Sequence, residues 1–159
     1  MSYDFTADNI FEMAEQMERN GADFYRTAAK SVSNPDEKQM LLDLAAMEDE
    51  HEKTFAAMRT DLKDAEKVQT VFDPDGESEM YLRALADTRV FFDKEINTES
   101  LTTILKDAIG AEKDSIIFYL GMKEMVPEKM GKNRMDAIIK EEMGHIRLLS
   151  QKLAAIKSK

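Results

Sequence analysis

The chain contains two histidines, His51 and His145, and each lies three residues after a glutamate, Glu48 and Glu142. Residues three apart on a helix project to one side, so each Glu-x-x-His pair can meet one metal ion, or two adjacent ions can share it. Two more glutamates, Glu18 and Glu112, each precede one of these pairs by the same thirty residues. A shift of 94 positions carries Glu18, Phe24, Tyr25, Glu48 and His51 onto Glu112, Phe118, Tyr119, Glu142 and His145. The chain therefore reads as two half-sites related by approximate twofold symmetry. Mixed carboxylate and imidazole ligation without sulfur suits iron or manganese, and zinc fits the same donor types. Four ionised glutamates and two neutral imidazoles would offset two divalent cations charge for charge. Tyr25 and Tyr119 are expected to be core aromatics whose hydroxyls bond to a ligand carboxylate.

Four long segments with helical periodicity must position these groups. The first runs from about Asp8 to Val32 and stops at Ser33-Asn34-Pro35. Asn34 is a good N-cap for the second, Pro35 fits its first turn, and Glu37 completes a capping-box pattern. The second helix continues to about Leu62. The third begins near Thr98-Glu-Ser100 and ends before Pro127, whose ring breaks a helix; the fourth runs from Gly131-Lys132 to about Lys157. Residues 63–98 form a long connection, with a turn at Asp73-Pro-Asp-Gly76 and a short amphipathic helix over Glu79 to Phe92 that places Tyr81, Leu85, Thr88 and Phe92 on one stripe. One domain over 1–159 follows, with a hairpin at 8–62, a crossover at 63–98 and a second hairpin at 99–157. The expected fold is all-α, a four-helix bundle with one long crossover.

The inward seams of these helices, taken at steps of three and four, are mostly apolar or small. They run Phe11, Ala14, Glu18, Gly21, Tyr25, Ala28, Val32 on the first helix and Leu41, Leu44, Glu48, His51, Phe55, Met58, Leu62 on the second. The third gives Leu101, Leu105, Ala108, Glu112, Ser115, Tyr119, Met122, Val126, and the fourth Met135, Ile138, Glu142, His145, Leu149, Lys152, Ile156. Each seam thus carries a glutamate in its middle. An ionised carboxylate in an apolar interior is costly unless something pairs with it. Lys152, the one cation on the seams, lies about two and a half turns from Glu142 by sequence. A bound cation cluster resolves the cost. Each pair of glutamates is also equidistant from its hairpin bend, about 15 residues or ~22 Å along the axis, so antiparallel neighbours bring them to one level.

Composition narrows the alternatives. The formal net charge is −10, which argues against nucleic acid or an anionic membrane as partner. The 159 residues include no cysteine, and no apolar run approaches the ~18–20 residues of a membrane span. No secretory signal is visible at Met1-Ser-Tyr-Asp-Phe-Thr6, and a cytoplasmic location is expected. Glu50, Glu52 and Glu141 fall off the seams and are assigned to a solvated face. No Gly-rich phosphate loop or Ser-His-Asp arrangement is present.

Four strings carry a resemblance: Met17-Glu-Arg-Asn-Gly-Ala-Asp-Phe-Tyr25, Glu48-Asp-Glu-His-Glu-Lys53, Glu112-Lys-Asp-Ser-Ile-Ile-Phe-Tyr119 and Glu141-Glu-Met-Gly-His145. The sequence resembles the rubrerythrin-like branch of the ferritin-like superfamily over nearly its full length. The resemblance implies a non-haem di-iron centre inside the bundle, with Glu18 and Glu112 as single ligands and Glu48/His51 and Glu142/His145 as paired ones. It implies an oxidoreductase that reduces O2 or H2O2 in defence against oxidative stress, and a homodimer. Full rubrerythrins carry a further iron site on four cysteines; none is present, so electrons are expected from a separate donor such as a rubredoxin. Many rubrerythrins also have an extra glutamate one turn from the third-helix ligand. Here those positions are Ile109, Ser115 and Ile116, which counts against a redox-linked shift of one iron. The alternatives are ferritin-type iron sequestration and a structural or regulatory bundle holding zinc or no metal.

Overall fold

The computed structural model describes residues 7–64, 100–125 and 131–157, and residues 77, 80, 81 and 84 of the stretch between the second and third long helices. Four long helices occupy these residues: α1 (Ala7–Lys30), α2 (Pro35–Asp64), α3 (Leu101–Met125) and α4 (Lys132–Lys157). No strand occurs among them. The all-α bundle expected from the seams is the observed fold.

Local chemistry sets the helix ends. Helix α1 closes two residues early, in a tight turn where Ser31 N–H bonds to the Ala28 carbonyl at 3.1 Å and Val32 N–H to that of Ala29 at 3.4 Å. The Ser31 hydroxyl also donates to the Ala28 carbonyl, satisfying a group the helix end would leave open. Asn34 Oδ1 then accepts the N–H groups of Asp36 and Glu37, at 2.9 and 3.2 Å, and caps α2 with Pro35 in its first turn. The Glu37 carboxylate reaches Lys152 Nζ at 3.3 Å. That contact provides for the one cation on the seams, at the far end of α4 from its first turn. Ser100 Oγ caps α3 by accepting the Thr103 N–H. Gly131, at φ 114°, turns the chain into α4, and its carbonyl accepts the Met135 N–H.

Two apolar clusters fill the bundle. One gathers Phe11 from the start of α1, Phe55 and Met58 from the end of α2, Tyr119 and Met122 from the end of α3, and Met135 and Ile138 from the start of α4. The other gathers Tyr25 and Ala28 from the end of α1, Leu41 and Leu44 from the start of α2, Leu105 and Ala108 from the start of α3, and Leu149 of α4. The two hairpins therefore bend at opposite ends of the bundle. Helices α2 and α3 run the same way, as in a crossover bundle.

Glu77, Met80, Tyr81 and Ala84 are helical within that segment, and Met80 and Tyr81 are exposed. The remainder of the helix expected at 79–92, with Leu85, Thr88 and Phe92, lies outside the described residues, as do the turn at 73–76, Val126 and Pro127. The seam residues described on all four helices are buried or half-buried.

Candidate metal centre

Between the two apolar clusters, each long helix contributes its mid-seam carboxylate to one layer. Glu18 comes from α1, Glu48 and His51 from α2, Glu112 from α3, and Glu142 and His145 from α4. None is more than 3% exposed. The spacing that makes the seam apolar above and below is the spacing that turns these six groups inward.

The donor atoms fall into two overlapping groups. Glu18, Glu48, His51 and Glu142 can each offer an atom such that all four lie within 4.8 Å of one another, and so can Glu48, Glu112, Glu142 and His145. Glu48 and Glu142 belong to both. Each group is one imidazole with three carboxylates, two of them shared, and the two groups together have the composition of two adjacent metal positions with two carboxylates in common.

Both imidazoles turn Nδ1 toward the carboxylates. His51 Nδ1 lies 2.8 Å from Glu142 Oε1 and 3.6 Å from Glu18 Oε2. His145 Nδ1 lies 3.2 Å from Glu48 Oε1 and 3.3 Å from Glu112 Oε1. The two rings stack, with centroids 5.8 Å apart and planes at 19°. Across the bundle, the Tyr25 hydroxyl donates to Glu112 Oε1 at 2.6 Å and the Tyr119 hydroxyl to Glu18 Oε1 at 2.5 Å. The repeat is thus visible in three dimensions: each tyrosine holds the single glutamate of the opposite half.

The rest of the layer is short of partners. Glu18 Oε2, Glu48 Oε1, Glu112 Oε2, both Glu142 oxygens and His51 Nδ1 are buried without a hydrogen bond. The 2.8 Å approach of Glu142 to His51 does not change this, because it falls outside hydrogen-bond geometry. No Lys or Arg among the described residues forms an ion pair with any of the six. Arg59, the nearest candidate by burial, is engaged by Asp8 at 2.6 Å and Glu15 at 3.0 Å.

Several of these groups hold their protons more tightly than they would in water. Burial pushes the carboxyls of Glu18 and Glu142 well above the usual carboxylate range, and crowding by the neighbouring glutamates adds to it. Glu48 rises for the same reasons. Glu112 is also pushed up by burial, but contacts with Glu142, His145 and Tyr25 outweigh this and hold it below its ordinary value. Burial disfavours the imidazolium of each histidine, yet the surrounding carboxylates prevail; His51 is raised strongly and His145 to about 12. Tyr25 and Tyr119 are raised by burial and by the facing carboxylates, so they remain hydroxyl donors. A divalent cation at this layer would compete with the protons these groups hold.

One residue departs from its expected place. Glu141, assigned to a solvated face because it lies off the seam, reaches from α4 across to α2 and sets Oε2 against His51 Nε2. Its side chain remains 53% exposed. The heptad criterion misses it because its Cβ lies beside the seam; its position immediately before Glu142 is the signal that could have found it. Glu50 and Glu52 do sit at the surface, paired with Lys53 at 2.9 Å and Arg19 at 3.3 Å. Ile109, Ser115 and Ile116 surround Glu112 on its own helix, and Ile109 and Ile116 pack against the two apolar clusters.

Fold and site together define a ferritin-like bundle with a buried glutamate and histidine cluster able to bind metal. The rubrerythrin family model matches residues 8–153, and the chain belongs to that family. A solved structure from Thermotoga maritima, described as a ferritin-like diiron-carboxylate protein, is similar at 26% identity and a TM-score of 0.67, covering 97% of this chain and 98% of that one. No curated protein matches. No described helix is long and apolar enough to cross a membrane.

Proposed function

We propose that the six side chains hold two iron ions and that the protein is an oxidoreductase acting on O2 or H2O2. The observation that carries this reading is the pair of overlapping donor groups sharing Glu48 and Glu142, in a layer whose buried polar atoms lack other partners. Glu18 and His51 would hold one ion and Glu112 and His145 the other, with Glu48 and Glu142 available to both. Manganese or zinc satisfies the same donor types; the oxidant chemistry favours iron. Bound as Fe(II), the pair supplies two electrons and Lewis acidity to the oxidant.

The chain's own residues do the rest. Tyr25 and Tyr119 keep Glu112 and Glu18 oriented through their hydroxyls, and each is positioned to hold its proton because its phenol is raised. Leu44, Ala108, Phe55 and Met122 lie in the apolar clusters on either side and restrict water. The reducing equivalents come from a separate donor protein such as a rubredoxin, and the setting is the cytoplasm, in oxidative-stress defence.

The test is anaerobic loading with Fe(II), followed by stopped-flow mixing with O2 and with H2O2 separately. Faster oxidation by peroxide supports the peroxide-reducing role. Ile109, Ser115 and Ile116 supply no further carboxylate beside Glu112, and that observation favours a second reading, a ferroxidase, for which O2 would be the faster oxidant. Failure to bind iron overturns both.

A homodimer is the assembly proposed. Ile117, Leu120 and Met143 are 43%, 49% and 56% exposed on the second hairpin. The repeat places them where the first hairpin carries Asp23, Arg26 and Asp49, and there Arg26 and Asp49 form an ion pair. The second hairpin's outer face is the one whose charges have been replaced by apolar groups. Native mass in solution decides this: a dimer also leaves no hollow shell for mineral storage, whereas a large multimer would favour sequestration.

A further inference from the structure

We propose that the two metal positions are unequal, with the His51 position binding its ion more tightly because Glu141 braces His51 and no equivalent group among the described residues braces His145. This rests on the metal-centre reading above and adds a positioning residue to it. Glu141 Oε2 sits against Nε2 of His51, on the side of the ring away from the carboxylate layer. A carboxylate there fixes the proton on Nε2, leaves the lone pair on Nδ1, and increases the basicity of the nitrogen that would meet the metal.

The repeat shows what is missing in the other half. The shift of 94 positions that superposes the ligands takes Glu141 onto Met47. A thioether is a weak acceptor and carries no charge. Met47 is 39% exposed, lining a surface cleft with Met40, Leu44 and Leu148. His145 Nε2 is buried and has no hydrogen-bond partner among the described residues. The tyrosine contacts are duplicated, since Tyr25 holds Glu112 as Tyr119 holds Glu18. At the inner nitrogens the halves differ in that His145 Nδ1 lies within hydrogen-bond reach of Glu112, at 3.3 Å, where His51 Nδ1 stands 3.6 Å from Glu18; at the outer nitrogens one half has a carboxylate and the other a thioether.

Loss of such an outer carboxylate typically lowers metal affinity by about 10–100-fold. Because Glu141 is half-exposed, a separation toward the lower end, about tenfold, is expected between the two binding steps. The first ion occupies the position of Glu18 and His51, and the second that of Glu112 and His145.

The experiment titrates the apo-protein anaerobically with Co(II), following ligand-field absorption, with equilibrium dialysis for stoichiometry. Wild type should bind in two resolved steps. Glu141→Gln should weaken the first step and bring it close to the second. Met47→Glu should tighten the second step toward the first, a gain of affinity that damage to the fold cannot produce. Two equal steps in wild type, or an unchanged separation in Glu141→Gln, would overturn the inference while leaving the metal centre standing. No Co(II) uptake at all would overturn the metal-centre reading and this inference with it.

Discussion

At the scale of single residues, the six inward groups are not equivalent. Glu48 and Glu142 belong to both donor groups, whereas Glu18 and Glu112 each belong to one. Under the two-ion reading, removing a shared carboxylate would take a ligand from both positions. Glu48→Ala or Glu142→Ala should therefore bring iron content well below two per chain, toward none, while Glu18→Ala should retain about one, in the ratio that bridging ligation requires. Metal analysis after anaerobic loading and desalting reads the difference, and equal losses in all three variants would refute the bridging assignment. That these six side chains meet in one buried layer was legible in the sequence, because a charge in the middle of an apolar seam is conspicuous and the repeat supplies a second copy. Glu141 was not. Its role depends on a side chain crossing from α4 to α2, and seam position describes only where a Cβ starts, not how far a flexible carboxylate can reach.

At the scale of elements, the hairpin ends follow residue chemistry closely. Asn34, Pro35 and Ser100 mark starts that the structure places within a residue or two, because capping is a local interaction between neighbours in sequence. The α1 end is less legible: Val32 continues the apolar seam, but the chain has already tightened at Ser31, since the hydroxyl offers the last carbonyls a nearer partner. Asn34→Ala should cost ~1 kcal/mol by leaving the Asp36 and Glu37 N–H groups without their acceptor. Gly131→Ala should cost more, about 1–3 kcal/mol, because its φ of 114° is strained for any L side chain. An added Cβ would also stand 2.8 Å from Met58 Cε, a flexible tip that can move, so the backbone term dominates. Urea unfolding at constant metal occupancy ranks the two, and Gly131→Ala milder than Asn34→Ala would contradict the assignment. Hairpin order was also readable, because a connection of 36 residues at 63–98 is long enough to return along the bundle. The packing of hairpin against hairpin was not, since it depends on contacts such as Tyr25 with Glu112, 87 positions apart.

At the scale of the whole molecule, the buried layer ties stability to both pH and metal. Glu18, Glu48 and Glu142 hold protons more tightly in the folded apo-protein than in the unfolded chain, where the ordinary value is 4.5. The folded state thus binds more protons than the unfolded state as pH rises above that value, and linkage requires stability to fall. The histidines act in the same direction. Their stabilising contribution is complete below the unfolded value of 6.5 and declines as pH climbs toward the folded value, which for His145 is about 12. Glu112, held below its ordinary value, contributes a change of the opposite sign only near and below 4.5, outside the range compared. The apo-protein should therefore melt at a higher temperature at pH 5.5 than at pH 8. A bound cation should oppose this slope, because cations bind the deprotonated ligands and compete with fewer protons as pH rises. The gap in melting temperature between metal-loaded and apo-protein should widen from pH 5.5 to pH 8, and Glu142→Gln should flatten the apo-protein's decline by removing one of the protonated carboxyls. Melting curves of both forms across that range test the account. An apo-protein that grows more stable toward pH 8 would mean that the six groups do not share one desolvated layer.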